Sequence, residues 1–288
     1  LVVVLWVLAA LAVIAAALSS GLRVEARVAR NAVSLAEARA LAEGAVAIGI
    51  ARALATVAGS GEPWRLDGAV YEVSLHGRTL RVGITQESGR IDLNAADVRL
   101  LASLFASAGA RADEAEAIAD AIADFRDADD DTHLKGAETA DYEGAGLPYP
   151  AKNAPFESVD ELQQVLGVTP ALFRAVRPAV TVFTGLPTVN PTYAPRAALL
   201  ALPGVDRGEV EALLAARAEN QYSPVPRPLP PLSGVEDWTS DTEIAVFLVR
   251  GEATLADGAT FAREAVVWVP TGGPVPYWVL DWRQGPGP

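Results

Sequence analysis

The chain has 288 residues, half of them hydrophobic, with 36 acidic and 23 basic side chains giving a net charge of −13. That length and apolar content suffice for about two packed domains and exclude a disordered or mini-protein reading. The negative charge argues against nucleic-acid partners, and the absence of cysteine excludes disulfides, thiolate metal sites and cysteine nucleophiles.

The sequence opens on an uncharged apolar run, Leu1 to Leu18, with no initiating Met, which predicts processing upstream of Leu1. Eighteen helical residues span about 27 Å, close to the roughly 30 Å of a bilayer's hydrocarbon core, and signal h-regions are shorter. A transmembrane segment over 1–20 is therefore expected. The pattern continues without proline to Val57, with Val28, Ala32, Leu35, Leu41, Val46, Ile50 and Leu54 returning near helical spacing. One helix from Leu1 to about Val57 is expected, its last third packed on a domain that begins near Trp64.

Alternation over Val70 to Ile84 around His76-Gly77 predicts a β-hairpin. A second group of strands is expected far along the chain, in Ile244–Leu255, Phe261–Val269 and Tyr277–Trp282, with a turn at Asp257-Gly258. Isolated hairpins are marginal, so both groups are expected in one antiparallel sheet on the long helix. The intervening region, about Ala95 to Asn220, reads as helical: 96–108, 113–125, 159–166, 170–176, 195–202 and 207–218 carry apolar residues three and four apart. Asn94 precedes a helical run, Ser158 with Glu161 forms a capping-box pattern, and the proline-rich stretch from Tyr222 to Gly234 reads as an extended connector.

The fold class expected is α+β. A long N-terminal transmembrane helix is expected to pack on an antiparallel sheet that carries a large inserted all-α domain of SAM-like or helix-hairpin-helix-like type. The expected divisions are 1–20, 21–94, 95–221 and 222–288.

Asp127, Asp129 and Asp131 alternate, and Glu138 falls eleven residues after Asp127, matching positions 1, 3, 5 and 12 of a calcium loop. Thr132 stands where an EF-hand needs glycine. On the residues alone, a solvated acidic loop and a cation site both stay open. One nearby histidine, His133, and no cysteine argue against a soft-metal site. Neither G-x-S-x-G, a Walker loop nor H-E-x-x-H occurs, so no enzyme is expected.

The opening LVVVLWVLAALAVIAAAL resembles a type IV pilin-like mature chain. Where most such chains carry a glutamate at the fifth mature position, alignment places Val3. The segments ESGRIDLNAAD (87–97) and PTVNPTYAPRAALLALPGV (187–205), with the stretch from Phe125 to Val168, resemble the K-type minor pseudopilins of bacterial type II secretion systems. The resemblance is weakest from about Pro224 onward.

It implies a single-pass inner-membrane subunit with its C-terminal domain in the periplasm, which caps the pseudopilus tip, initiates its assembly and supports protein export. It implies minor pseudopilins I and J as immediate partners, other pseudopilins in the helical bundle, and the secretin and secreted substrates as further contacts. It also implies structural calcium in the insertion, with Asp127, Asp129 and Glu138 foremost and Asp131 and Asp141 behind them.

Two rival readings remain. One is a minor pilin of a type IV pilus. The other rests on Leu199 to Arg217, which resembles a DNA-binding helix-hairpin-helix, yet its surroundings, Asp206, Glu209, Glu211 and Glu219 against Arg207 and Arg217, repel phosphate.

Overall fold

Fifty-six residues without a proline form one helix, α1 (Val2–Val57), about 85 Å long. The computed structural model describes residues 1–61, 64–220, 227–270, 272 and 274–286, with backbone only over 15–24. The expected connector thus lies outside the described residues over 222–226, and its remainder, 227–234, carries no helix or strand.

After α1 come β1 (Asp67–Leu75) and β2 (Arg78–Gln86), joined by the turn predicted from sequence. His76 and Gly77 both take positive φ, 49° and 74°, the backbone that a two-residue hairpin of matching twist requires. The chain then leaves the sheet. It forms β3 (Ile91–Asp92), α2 (Val98–Ser107), α3 (Ala112–Arg126), α4 (Thr139–Gly144), α5 (Pro170–Val176), β4 (Val180–Thr181), α6 (Arg196–Leu200) and α7 (Arg207–Asn220). It returns as β5 (Val246–Thr254), β6 (Thr260–Trp268) and β7 (Trp278–Gln284).

All five long strands make one antiparallel sheet in the order β1-β2-β5-β6-β7. Because β2 and β5 are neighbours, the insertion departs and re-enters at adjacent strands and leaves the sheet unbroken. One face of the sheet is covered by α1. Ala38, Ala42, Ala45, Val46, Ile50 and Ala53 are buried there against Leu80, Val82, Ile84, Phe247, Val249, Ala265 and Val267. Burying an aliphatic side chain such as Val46 or Ile50 contributes about 1.5–3 kcal/mol. The alanines and Gly49 bring the helix axis close to the sheet, and across from them Gly251 leaves room for the Ala42 carbonyl.

The insertion has its own core, centred on Leu100, Leu101, Leu104, Phe105, Ile122, Phe125, Tyr142 and Leu162. It is mainly helical but not wholly so. Strands β3 and β4 form a two-residue parallel ladder, so the expected all-α composition is corrected at that point. Asp92 clasps the ladder: its buried carboxylate accepts hydrogen bonds from the Thr184 and Gly185 N–H groups and the Thr184 hydroxyl at 2.8–2.9 Å. Asn94 does not cap α2. Its side-chain amide exchanges two hydrogen bonds with the Phe156 backbone, and Asp97 is the cap, accepting from the Arg99 N–H at 2.8 Å. Ser158 caps as expected, but Val159–Gln164 is a 3-10 helix, and Glu161 pairs with Lys152 at 2.8 Å.

Candidate functional site

Two features of the fold carry chemistry or shape that packing alone does not require. The first is the free part of α1. From Val2 to Ile14 the large side chains Leu5, Trp6, Leu8, Leu11 and Ile14 are exposed, a surface suited to lipid and costly in water. The C-terminal part, Glu25–Val57, is also long and apolar enough to cross a membrane. Its apolar face is instead used against the sheet, which leaves the N-terminal run as the uncovered apolar part of the helix. This single N-terminal apolar helix is consistent with a single-pass inner-membrane anchor.

Between anchor and sheet, residues 25–33 and 35–37 are exposed on every side. Val28, Leu35, Ala42 and Gly49 recur seven residues apart, so the stripe buried on the sheet at Ala42 and Gly49 continues uncovered through Leu35 and Val28. It is an apolar seam of the kind through which helices pack on one another.

The second feature is an acidic cluster at the end of α3. Asp124 and Asp127 stand three residues apart and so share one face of the helix end. With His133 they place one ligand atom each within 4.8 Å of one another. Asp124 is fully buried, accepting from the His133 N–H at 3.1 Å and pairing with the His133 ring at Nδ1. Its other oxygen, Oδ2, has no hydrogen-bond partner among the described residues, nor have Asp127 Oδ1, both carboxylate oxygens of Glu138, and Asn153 Oδ1. Glu138 is the N-cap residue of α4, but its carboxylate approaches the first-turn N–H groups without a hydrogen bond of good geometry.

The electrostatics follow from that burial. Burial pushes the Asp127 carboxyl above its ordinary value, helped by repulsion from Asp129 and Asp124. Burial likewise raises Glu138, with Asp124, Asp127 and Asp130 adding repulsion. His133 is raised by its hydrogen bond to Asp124. Asp124 and Asp127 thus meet with one unsatisfied oxygen each, and Glu138 adds like charge nearby.

Of the residues singled out from sequence, Asp127 belongs to this cluster, and Glu138 stands near enough to be repelled by its charges. Asp129, Asp131 and Asp141 are exposed. Asp129 accepts from the Asp131 N–H at 3.0 Å, and Asp141 accepts from the Glu138 N–H at 3.0 Å. The EF-hand spacing therefore does not wrap one centre, since α3 runs to Arg126 and Glu138 enters from a separate helix start. Asp124, missed in the sequence, is the most buried member. Its spacing from Asp127 across a helix end was the available signal, together with Gly136, where a Cβ would stand 1.8 Å from Asp124 Oδ2.

Apart from the His133 ring, which pairs with Asp124, the donors are hard carboxylate oxygens of the kind calcium takes, and those left without a partner are atoms that a cation would satisfy. The helix-hairpin-helix-like segment fits its rival reading poorly. Arg217 is buried, and its guanidinium donates to the Ala194 carbonyl at 2.7 Å and to the Pro191 carbonyl, so it is turned inward rather than offered to phosphate.

The chain thus lays a long helix with a naked N-terminal apolar run across an antiparallel sheet by its C-terminal part, the arrangement expected from its pilin-like opening. Residues 79–185 match the family described as type II secretion system (T2SS), protein K. The match runs from β2 to just beyond β4. In overall fold it is similar to a chain of the crystal structure of the GspK-GspI-GspJ complex from the enterotoxigenic Escherichia coli type 2 secretion system. The TM-score is 0.63 at 19% identity, covering 91% of this chain and 99% of that one. Comparison with curated proteins gave no match.

Proposed function

We propose that this chain is the tip subunit of a type II secretion pseudopilus, which initiates assembly with minor pseudopilins I and J and takes part in protein export across the outer membrane. The observation that carries this reading is the arrangement of the sheet. One face is closed by α1, and a bulky insertion leaves between two central strands, so the head is much wider than the helix that would join a bundle. A subunit of that shape can receive neighbours along α1 from below but offers poor seating for another head above. The related complex, in which a protein of this fold is found with GspI and GspJ, supports the choice of partners.

In this reading residues 1–20 anchor the chain in the inner membrane with the head in the periplasm, and the pilin part comprises 21–94 and 222–288 around an insertion of 95–221. The chain works as a scaffold and has no catalytic role. The secretin and exported proteins are its further contacts. The acidic cluster holds structural calcium: Asp124, Asp127 and Glu138 supply carboxylate oxygens and Asn153 an amide oxygen, with backbone or water completing the six to eight ligands that calcium takes. When bound, the ion neutralises the cluster and ties the end of α3 to the start of α4.

The test is co-purification of the full chain, in nonionic detergent, with its cognate minor pseudopilins I and J. A stable three-component complex supports the tip reading. Failure to bind either, with both shown to be folded, sinks it, and assembly with type IV pilins instead would move the chain to a pilus.

A further inference from the structure

The face of the sheet turned away from α1 carries a row of charge that crosses four strands. Arg81 of β2 stands in register with Glu252 of β5, Arg250 of β5 with Glu264 of β6, and Glu264 with Arg283 of β7. The ion-pair distances are 3.3, 3.1 and 3.1 Å. The insertion overhangs this row with Arg174 of α5, Arg177 just beyond it, and Arg90 just before β3. Together they enclose a groove of about 480 Å³, floored in part by Val70, Leu248 and Pro178.

Six arginines and two glutamates line the groove of a chain whose net charge is −13. Three flanking acids lie near it: Glu87 is 3.4 Å from Arg90, Asp160 is 3.8 Å from Arg177, and Asp281 pairs with Arg283. Even counting these, the arginines outnumber the acids. The shortfall is concentrated at two positions. Arg90 is only 8% exposed, and its Nε faces Glu87 Oε1 at 3.4 Å without a hydrogen bond of good geometry, so the pair is not fully satisfied. Arg174, at the rim, makes no ion pair among the described residues. A buried guanidinium without its full set of acceptors is costly unless an anion supplies them.

We propose that this groove binds an extended acidic segment of a protein partner. Guanidinium forks match carboxylates in shape and charge, and the apolar floor suits the aliphatic stems of a peptide better than a bare inorganic anion. From β2 to β7 the row crosses three strand spacings, about 14 Å, which an extended segment of about four residues spans. Side chains of such a segment alternate, so acids at every second position would face the arginines. Nucleic acid would meet the repulsive field of the whole chain.

The probe is a fluorescein-labelled hexapeptide of alternating Glu and Val, titrated against the full chain in nonionic detergent and followed by anisotropy, with a Lys-Val hexapeptide as control. Saturable binding of the Glu-Val peptide that weakens with salt is expected. Arg174→Glu, at an exposed and unpaired position, should weaken it by about tenfold or more with unchanged thermal melting, and Arg81→Glu on the far side of the groove should weaken it as well. The proposal is overturned if the Glu-Val peptide does not saturate, if the Lys-Val peptide binds equally, or if both variants bind as the parent does. It is also overturned if inorganic phosphate or phosphatidylglycerol vesicles bind through these arginines while the peptide does not.

Discussion

Gly49 of α1 and Val249 of β5 touch so closely that a Cβ on the glycine would stand 2.4 Å from the valine Cγ1, and 3.0 Å from Val82 Cγ1. Both valines are β-branched and fixed in the sheet, so they have little room to turn aside. Gly49 therefore sets the distance between the long helix and the sheet. Gly49→Val is expected to destabilise the head by about 1–3 kcal/mol through overpacking. Thermal unfolding of the parent and variant checks this, and an unchanged Tm would mean that α1 is not seated on β5 as described.

Calcium should raise the melting temperature of the full chain. At a hundred times its Kd, an ion that binds only the folded state contributes about 2.7 kcal/mol, read as roughly 5–10 °C for a chain of this size. Asp124→Asn or Asp127→Asn should remove most of that response, whereas Asp129→Asn, whose side chain is exposed and occupied with its own loop, should keep it. Gly136→Ala should also weaken it, because the new methyl would displace the Asp124 carboxylate. A full calcium response in the Asp124→Asn/Asp127→Asn double variant would place the ion elsewhere.

How much of this was legible beforehand depends on whether a residue's role is local. The helix to Val57, the hairpin around His76-Gly77 and the turn at Asp257-Gly258 are written in periodicity and turn chemistry, and the structure has all three. Strand β7 was expected over Tyr277–Trp282 and runs over Trp278–Gln284. The β3–β4 ladder is too short to have a period, and it exists because Asp92 clamps Thr184 and Gly185, nearly a hundred residues away. Helix α4 is six residues long and surrounded by glycine and proline, so its pattern is weak. Asp124 looks in sequence like one more polar residue of an amphipathic helix. Only the direction in which α3 ends, and the return of His133, Gly136 and Glu138 over it, turn that carboxylate into the centre of a cluster.

The link between α1 and the sheet should also respond to acid. Glu43 on α1 accepts from Arg39 and from Arg263 of β6, each at 2.9 Å, and the Arg39 hydrogen bond foremost, then Arg263, holds its carboxyl below the ordinary 4.5 despite partial burial. A carboxyl depressed in the folded state contributes stability above its unfolded value, and that contribution is lost as pH falls below 4.5 through the folded value. Because Glu43 remains about a third exposed, solvent screening limits the contribution to about 1 kcal/mol or less. Glu43→Gln should therefore melt below the parent at pH 7, and the gap should close on acidification. A gap that stays constant from pH 7 to pH 3 would show that the carboxylate charge contributes nothing.

The uncovered seam on α1 gives the sharpest test of how this subunit meets its neighbours. Val28 and Leu35, 63% and 50% exposed, extend the stripe that Ala42 and Gly49 bury against the sheet, so they are apolar where the head does not need them to be. Replacing either should cost the head less than about 0.5 kcal/mol, as for most surface positions. If the proposed helix packing in a pseudopilus uses this seam, a Glu at either position places a charge in an apolar contact, where desolvation is expensive. Val28→Glu and Leu35→Glu are thus expected to abolish co-purification with minor pseudopilins I and J while leaving the melting temperature unchanged, and Ala36→Glu, exposed on another side of the helix, should be tolerated. Retention of both partners by the Val28→Glu/Leu35→Glu double variant would remove this stripe from the interface and leave the head as the surface that recruits them.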